Sequence, residues 1–334
     1  MMQKALLFVL ACALALSAWA RTPERANFGN RPEVREFIAG MVERHGFVES
    51  ELRALFGRAT RQPEILSAIR PPPAPKRRSW HAYRAIFVNE RHVAEGLRFF
   101  ERHGAALERA ERDYDVPAEI LVAIIGVETF YGKNMGRWRV VDALATLAFD
   151  YPPRAEYFRS ELEAFLLLAR DFDLDVLEVR GSYAGAIGIP QFMPGSYRRW
   201  AVDFDGDGVA QLRSSPVDAI GSVANFLKAH GWASGEPILY AAEVGSADVS
   251  ALLAAGIKPT LSLAELAAAG VTVRAEPAAR PGALATLIVL ESADRPSEYR
   301  AGLANFYSLT RYNRSSYYAS AVSDLAAAIR SARK

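Results

Sequence analysis

Residues 115–132 read DVPAEILVAIIGVETFYG, and this stretch decides the fold. Ile120 to Val127 is eight residues without a charge, apolar on nearly every side. Asp115-Val116-Pro117 starts a helix there, with Asp115 near the cap and Pro117 in the first turn. A helix that is apolar all round is buried at the centre of a domain. The chain is therefore organised around this segment, which ends on a single carboxylate, Glu128.

Helical signals flank the central segment on both sides. Val34, Phe37, Ile38, Met41 and Val42 share one face, and Leu52, Leu55 and Phe56 continue the helical period over 31–68. Arg70 to Pro75 (RPPPAP) cannot be helical and runs extended. Further helical patterns cover about 90–113, 155–170 and 216–229. The character then changes. Ile238 to Val244, Val271 to Ala275 and Leu284 to Leu290 read as short strands, with a short helix over Leu261 to Ala269 and a helical C-terminus at about 315–331. The fold class expected is mainly α, a helical core with an N-terminal helical lobe (21–115) and a small α/β insertion (237–296). The core then spans 116–236, and residues 297–334 return to it.

The 334 residues suffice for one large core with smaller lobes. A net charge of +2, from 40 basic and 38 acidic residues, gives no field that attracts nucleic acid. The longest basic run is Lys76-Arg77-Arg78, and the aromatic motifs of RNA readers are missing, so no nucleic-acid partner is expected. Residues 1–20 read as an export signal: Lys4, the apolar stretch Ala5 to Leu16, then Ala18-Trp19-Ala20 as cleavage site, which places the mature protein in the periplasm. Cys12, the only cysteine, follows Val9-Leu10-Ala11, a loose lipobox; lipidation there would tether the protein to a membrane instead. Cleavage after Ala20 leaves no disulfide, cysteine nucleophile or Cys-based zinc site. The five histidines (45, 81, 92, 103 and 230) form no H-E-x-x-H pattern.

Glu128 is the catalytic candidate. Burial disfavours its ionised form, and the negative end of the helix dipole disfavours it again. A carboxyl held neutral near pH 7 is what a glycosidic oxygen needs as proton donor. On residues alone, a buried structural Glu–Arg pair is equally open. A second candidate is Asp203-Phe-Asp205-Gly-Asp207-Gly208. Carboxylates at positions 1, 3 and 5, Gly at 6 and the Val209 carbonyl at 7 match the opening half of a calcium loop. Position 12 is Ser214 rather than Glu, and the next acid is Asp218, so a solvated Asx-rich turn is as open as a metal site.

Leu121–Asp150 resembles the catalytic segment of the membrane-bound lytic murein transglycosylase B family, glycoside hydrolase family 103. Matching stretches follow in order: YPPRAEYF (151–158), GSYAGA (181–186), QFMP (191–194), SYRRW (196–200), Asp203–Gly208, PVDAIGSVANFL (216–227) and NFYSLTRYNRSSYY (305–318). The resemblance runs from about 30 to 330 and implies a lysozyme-like core acting on peptidoglycan glycan strands. It implies that Glu128 is the single catalytic glutamate and that Tyr83, Arg154, Ser182, Gln191, Phe192, Tyr312, Asn313 and Tyr318 line the groove. Aromatic faces there would stack on sugar rings, and amides and hydroxyls would bond to hydroxyl and N-acetyl groups. Some relatives carry two arginines where this chain has Pro153-Arg154. The resemblance also implies a structural Ca2+ held by Asp203, Asp205, Asp207, Val209 and Asp218, and chemistry without a cofactor.

Three functions compete: a lytic transglycosylase, a lysozyme-type hydrolase, and a noncatalytic peptidoglycan-binding module. Hydrolysis normally uses two carboxylates flanking the bond. The candidates for a second one are Asp142, Asp150, Glu156 and Asp171, and the resemblance gives none of them a catalytic role.

Overall fold

A computed structural model describes residues 27–70, 79–276, 278–293 and 295–334. The expected export signal with Cys12 and most of the proline-rich stretch lie outside the described residues. The described chain begins with α1 (Pro32–His45), α2 (Glu49–Arg58) and α3 (Pro63–Ile69). Val34, Ile38 and Met41 of α1 and Leu52 and Phe56 of α2 are buried, as the helical period requires. After α4 (Trp80–Phe87) and the long α5 (Glu90–Tyr114) comes α6 (Ala118–Thr129), with every residue from Ala118 to Gly126 buried. Helices α5, α10 (Pro216–Ala229) and α14 (Ser316–Arg333) pack around it.

The α5–α6 junction differs from expectation. Asp115 does not cap α6. It ends α5 in a left-handed conformation (φ 59°), its amide donating to the Glu111 carbonyl at 2.9 Å. Pro117 precedes the first turn of α6 instead of lying within it. An aspartate tolerates the left-handed region better than most residues, so one residue both stops a helix and redirects the chain.

Two carboxylates tie the N-terminal helices to α7 (Val140–Asp150). Buried Asp142 accepts from the Thr60 amide (2.9 Å), the Gln62 side chain (3.2 Å) and Arg139 (2.8 Å). Asp150 pairs with Arg31 and Arg61, each at 2.9 Å. Phe37, Phe56 and Phe149 meet edge-on above them. Helix α7 packs on α8 (Ala155–Asp171), and the short strands β1 (Trp138–Arg139) and β2 (Arg180–Gly181) join the turns that follow α6 and α8. Helix α9 (Pro194–Trp200) precedes the acidic loop.

The insertion is an antiparallel sheet in the order β4-β6-β7-β3-β5, with β3 (Leu239–Val244), β4 (Leu261–Ser262), β5 (Val271–Arg274), β6 (Leu284–Leu290) and β7 (Glu298–Gly302). Helices α11 (Ser250–Ala254) and α12 (Leu263–Ala268) belong to it, and Tyr240, Leu266, Val271, Leu287 and Ala301 form its own small core. Strand β7 overturns the expected boundary at 296. It lies between β6 and β3, so the insertion runs to Gly302. The sequence Glu-Tyr-Arg-Ala-Gly hides this strand because its two faces differ. Tyr299 and Ala301 serve the insertion core, while Arg300 pairs with Asp324 of α14 at 2.7 Å. Helix α13 (Ala304–Tyr312) and α14 then return to the core.

Candidate active site

Glu128 lies in the last turn of α6, where the chain reverses sharply. Phe130 (φ 50°) and Tyr131 (φ 61°) are both left-handed. The Phe130 amide donates to the Gly126 carbonyl and that of Tyr131 to the Ile125 carbonyl, closing the helix end. Bulky residues pay for this conformation, so something must hold them. The Tyr131 hydroxyl donates to the His92 carbonyl at 2.8 Å, and its ring fills space left by two glycines. A Cβ at Gly126 or Gly96 would come within 2.7 Å of Tyr131. Thr129 then fastens the turn to the next loop. Its hydroxyl donates to the Ile189 carbonyl (2.8 Å) and accepts from the Gly132 amide (2.9 Å).

The Glu128 carboxylate accepts a hydrogen bond from the Tyr318 hydroxyl at 2.7 Å. Burial pushes its pKa from the ordinary 4.5 to about 7, and the Tyr318 hydrogen bond pulls the other way. No positive side chain among the described residues acts on it, so the structural Glu–Arg pair is not what forms. Tyr318 is buried in the first turn of α14, parallel to Tyr312 (13° between rings, centroids 6.4 Å apart). The Tyr312 hydroxyl donates to the Pro190 carbonyl at 2.5 Å. Burial, and then the Glu128 charge, raise both phenols well above the usual value, so both stay protonated donors at neutral pH. Tyr83 is half-buried, stacked on Trp80, and is raised by the same two causes.

The other expected groove residues divide. Gln191, held at φ 51°, donates its amide to the carbonyls of Gly188 (2.9 Å) and Met135 (3.2 Å). Ser182 accepts from the amides of Ala184 and Ala186, shaping its own turn. Asn313 is exposed and follows Tyr312 at the end of α13. One residue departs from expectation. Phe192 is 2% exposed, its ring packed between Phe226 and Tyr312, so it supports Tyr312 and offers no face to a sugar. Arg154 is exposed, its guanidinium 4.3 Å above the Tyr157 ring. Sequence reading passed over Thr129 and Tyr131. Their signal is the pairing of Gly126 with two aromatics after an acid, which means little without the backbone.

Of the other candidate acids, three are held by partners away from Glu128 and one is exposed. Asp142 and Asp150 hold the N-terminal helices, Asp171 pairs with Arg198 at 3.1 Å, and Glu156 is exposed at the start of α8. Buried Glu161 accepts from the Gly195 amide at 2.8 Å.

In the acidic loop, carboxylate oxygens of Asp203, Asp205 and Asp218 lie within 4.8 Å of one another. Asp218 is fully buried and accepts from the amides of Phe204 (2.7 Å), Asp205 (3.1 Å) and Gln211 (2.7 Å). Asp207 is not gathered with them. Its oxygens accept from the Val209 amide and the Gln211 side chain. Three converging carboxylates, one of them buried, suit a hard cation, because buried charge needs a counter-charge.

Residues 29–327 match the family model for the transglycosylase SLT domain. The chain is 45% identical over 316 residues to membrane-bound lytic murein transglycosylase B of Escherichia coli K12, covering 92% of this chain and 85% of that protein. Among solved structures, E. coli lytic transglycosylase Slt35 in complex with calcium is 44% identical, with a TM-score of 0.82 over 92% of this chain and 95% of its own. SltB3 of Pseudomonas aeruginosa, in complex with NAG-NAM-pentapeptide, is 31% identical with a TM-score of 0.77, over 89% of this chain and 79% of its own. With the family model matched over nearly all of its described length, and a full-length relative at this identity, the chain belongs to the membrane-bound lytic murein transglycosylase B family of lytic transglycosylases.

Proposed function

We propose that this lytic transglycosylase cleaves the MurNAc–GlcNAc bond of peptidoglycan with Glu128 as its only acid and base, leaving a 1,6-anhydro-MurNAc end. The observation that carries the reading is a buried carboxyl raised to about 7, whose hydrogen-bond donor among the described residues is the Tyr318 hydroxyl. Glu128 donates its proton to the bridging oxygen, and the muramoyl C1 gains oxocarbenium character. The 2-acetamido oxygen of the same sugar stabilises C1, which removes the need for a second enzyme carboxylate. Glu128, now ionised, holds its aim through the Tyr318 hydroxyl and accepts the proton of the C6 hydroxyl as that oxygen attacks C1. Two partners on one sugar react with effective molarities that reach ~10⁵ M or more, an advantage that bulk water lacks. Sacculi digested by the protein should therefore release muropeptides lighter by one water than lysozyme products. Reducible MurNAc ends in a mass analysis would make the enzyme a hydrolase.

The acidic loop serves stability in this reading. Asp203, Asp205 and Asp218 form the receiving cluster for Ca2+, and the Asp207 carboxylate and Val209 carbonyl complete the shell. The ion ties the loop to the first turn of α10 through Asp218 and supplies no step of the chemistry. At 100-fold excess over its dissociation constant, a ligand specific for the folded state adds about 2.7 kcal/mol. Calcium at millimolar concentration should raise Tm by several degrees over a chelator, and an unchanged Tm removes the site. Residues 1–20 direct export to the periplasm with cleavage after Ala20. Palmitate labelling lost on Cys12→Ala would identify a lipoprotein instead.

A further inference from the structure

Helix α4 is eight residues long, and a helix shorter than about 12 residues is marginal in water on its own. It nevertheless carries Tyr83, which feels the Glu128 charge. Its orientation therefore comes from what it packs against. The insertion holds its first turn. The Trp80 amide donates to the Glu291 carbonyl at 2.7 Å, just past the end of β6, and the His81 amide to the Ser292 hydroxyl at 3.2 Å. From α14, the Tyr317 hydroxyl donates to the same Glu291 carbonyl at 2.7 Å.

A buried ionic knot joins the same three elements. Asp324 of α14 takes the Arg300 guanidinium of β7 on both oxygens, at 2.7 and 3.0 Å, and the Arg84 Nε of α4 at 2.6 Å. The side chains of Arg300 and Asp324 are 12% and 14% exposed. Arg300 also lies 5.2 Å from the centre of the Trp80 ring. That ring is fully buried and stacks on Tyr83, with 26° between planes and centroids 6.4 Å apart. Its Nε1 has no acceptor among the described residues. The orientation of Trp80, and of Tyr83 on it, thus rests on packing and on the charge at its face. Desolvation offsets most of the attraction in a buried ion pair, so this one adds little net stability, but a bidentate fork fixes direction.

We propose that Arg300 and Asp324 are positioning residues for glycan binding: they set the angle of α4 and, through Trp80, the Tyr83 ring that meets the sugar. The insertion, which supplies Arg300, is then part of the sugar site and not an appended lobe. The inference rests on the reading of Tyr83 as a wall of the glycan groove.

The test titrates the uncleaving Glu128→Gln protein calorimetrically with a peptide-free tetrasaccharide of alternating GlcNAc and MurNAc. Adding Arg300→Met is expected to weaken binding about three- to tenfold, the worth of one aromatic contact. Tyr83→Leu is expected to cost as much, and the two changes together no more than Tyr83→Leu alone, because changes that act through one contact do not add. If Arg300→Met does not fold, Arg300→Met with Asp324→Leu leaves no buried charge unpaired, and is expected to fold and to show the same loss. In the cleaving protein, Arg300→Met is expected to raise KM and leave the pH at which the rate falls unchanged, a pattern that general loosening of the fold does not give. The proposal is overturned if Arg300→Met binds the sugar as its parent does, if its cost adds in full to that of Tyr83→Leu, or if the pH limb moves with it. A Tyr83→Leu protein that keeps full affinity removes Tyr83 from the groove, and the proposal with it, while the Glu128 chemistry is still judged separately from the products of sacculi.

Discussion

Glu128→Gln is expected to abolish lysis while leaving the fold intact. General acid catalysis supplies ~10²–10⁴-fold in rate, and a residue that serves as acid and then as base should cost at least that much. Glutamine keeps the shape and can still meet the Tyr318 hydroxyl, but it has no proton to give. The same change should stabilise the protein at alkaline pH. The folded pKa of Glu128 lies near 7, above its ordinary 4.5. Between those values the native state holds a proton that the unfolded chain has released, so stability falls as pH rises through that window. Ionising the carboxyl in the folded state therefore costs on the order of 1–3 kcal/mol, and glutamine removes that cost. Rates of dye release from labelled sacculi and melting curves at pH 8 check both halves. Lysis near the wild-type rate would end the assignment.

The second large effect concerns pH. The neutral carboxyl is the active acid, so the rate should hold below pH 7 and fall as pH rises through about 7, where burial has placed the Glu128 pKa. The Tyr318 hydroxyl donates to the carboxylate at 2.7 Å and so favours the ionised form. Tyr318→Phe removes that donor and should move the alkaline limb upward by about one unit, since one unit corresponds to 1.36 kcal/mol. The base step meanwhile loses its aim, and kcat should fall by about tenfold or more, the worth of a hydrogen bond to a charged group. A pH–rate profile separates these effects. A limb that stays in place or moves downward contradicts the role given to Tyr318.

The central helix was legible because eight uncharged residues have one physical outcome, burial, and Glu128 was legible because it breaks that run. The family resemblance brought Tyr83, Gln191, Tyr312, Asn313 and Tyr318 into view. Periodicity had no means of doing so, because an isolated tyrosine reads first as core. Phe192 was misplaced for that reason: an aromatic beside a groove residue can face inward, and here Phe226 and Tyr312 enclose it. Strand β7 escaped notice because Arg300 sits where an apolar residue was expected, its charge answered by Asp324 on a helix that follows in the chain. Asp115 misled because an aspartate suits both a helix N-cap and the left-handed backbone that ends a helix, and here it takes the second. Tyr131 was hidden for a further reason. Its place is set by left-handed backbone and by gaps at Gly96 and Gly126, which exist only once α5 and α6 are packed.

The central claim is that one carboxyl acts twice and that an oxygen of the sugar itself, rather than water, closes the reaction. Digestion of sacculi in oxygen-18 water, followed by mass spectrometry of the released muropeptides, tests it directly. The account expects every new MurNAc end to be anhydro and to carry no heavy oxygen. Fragments bearing one heavy oxygen at C1 would show that water attacks, and would contradict it.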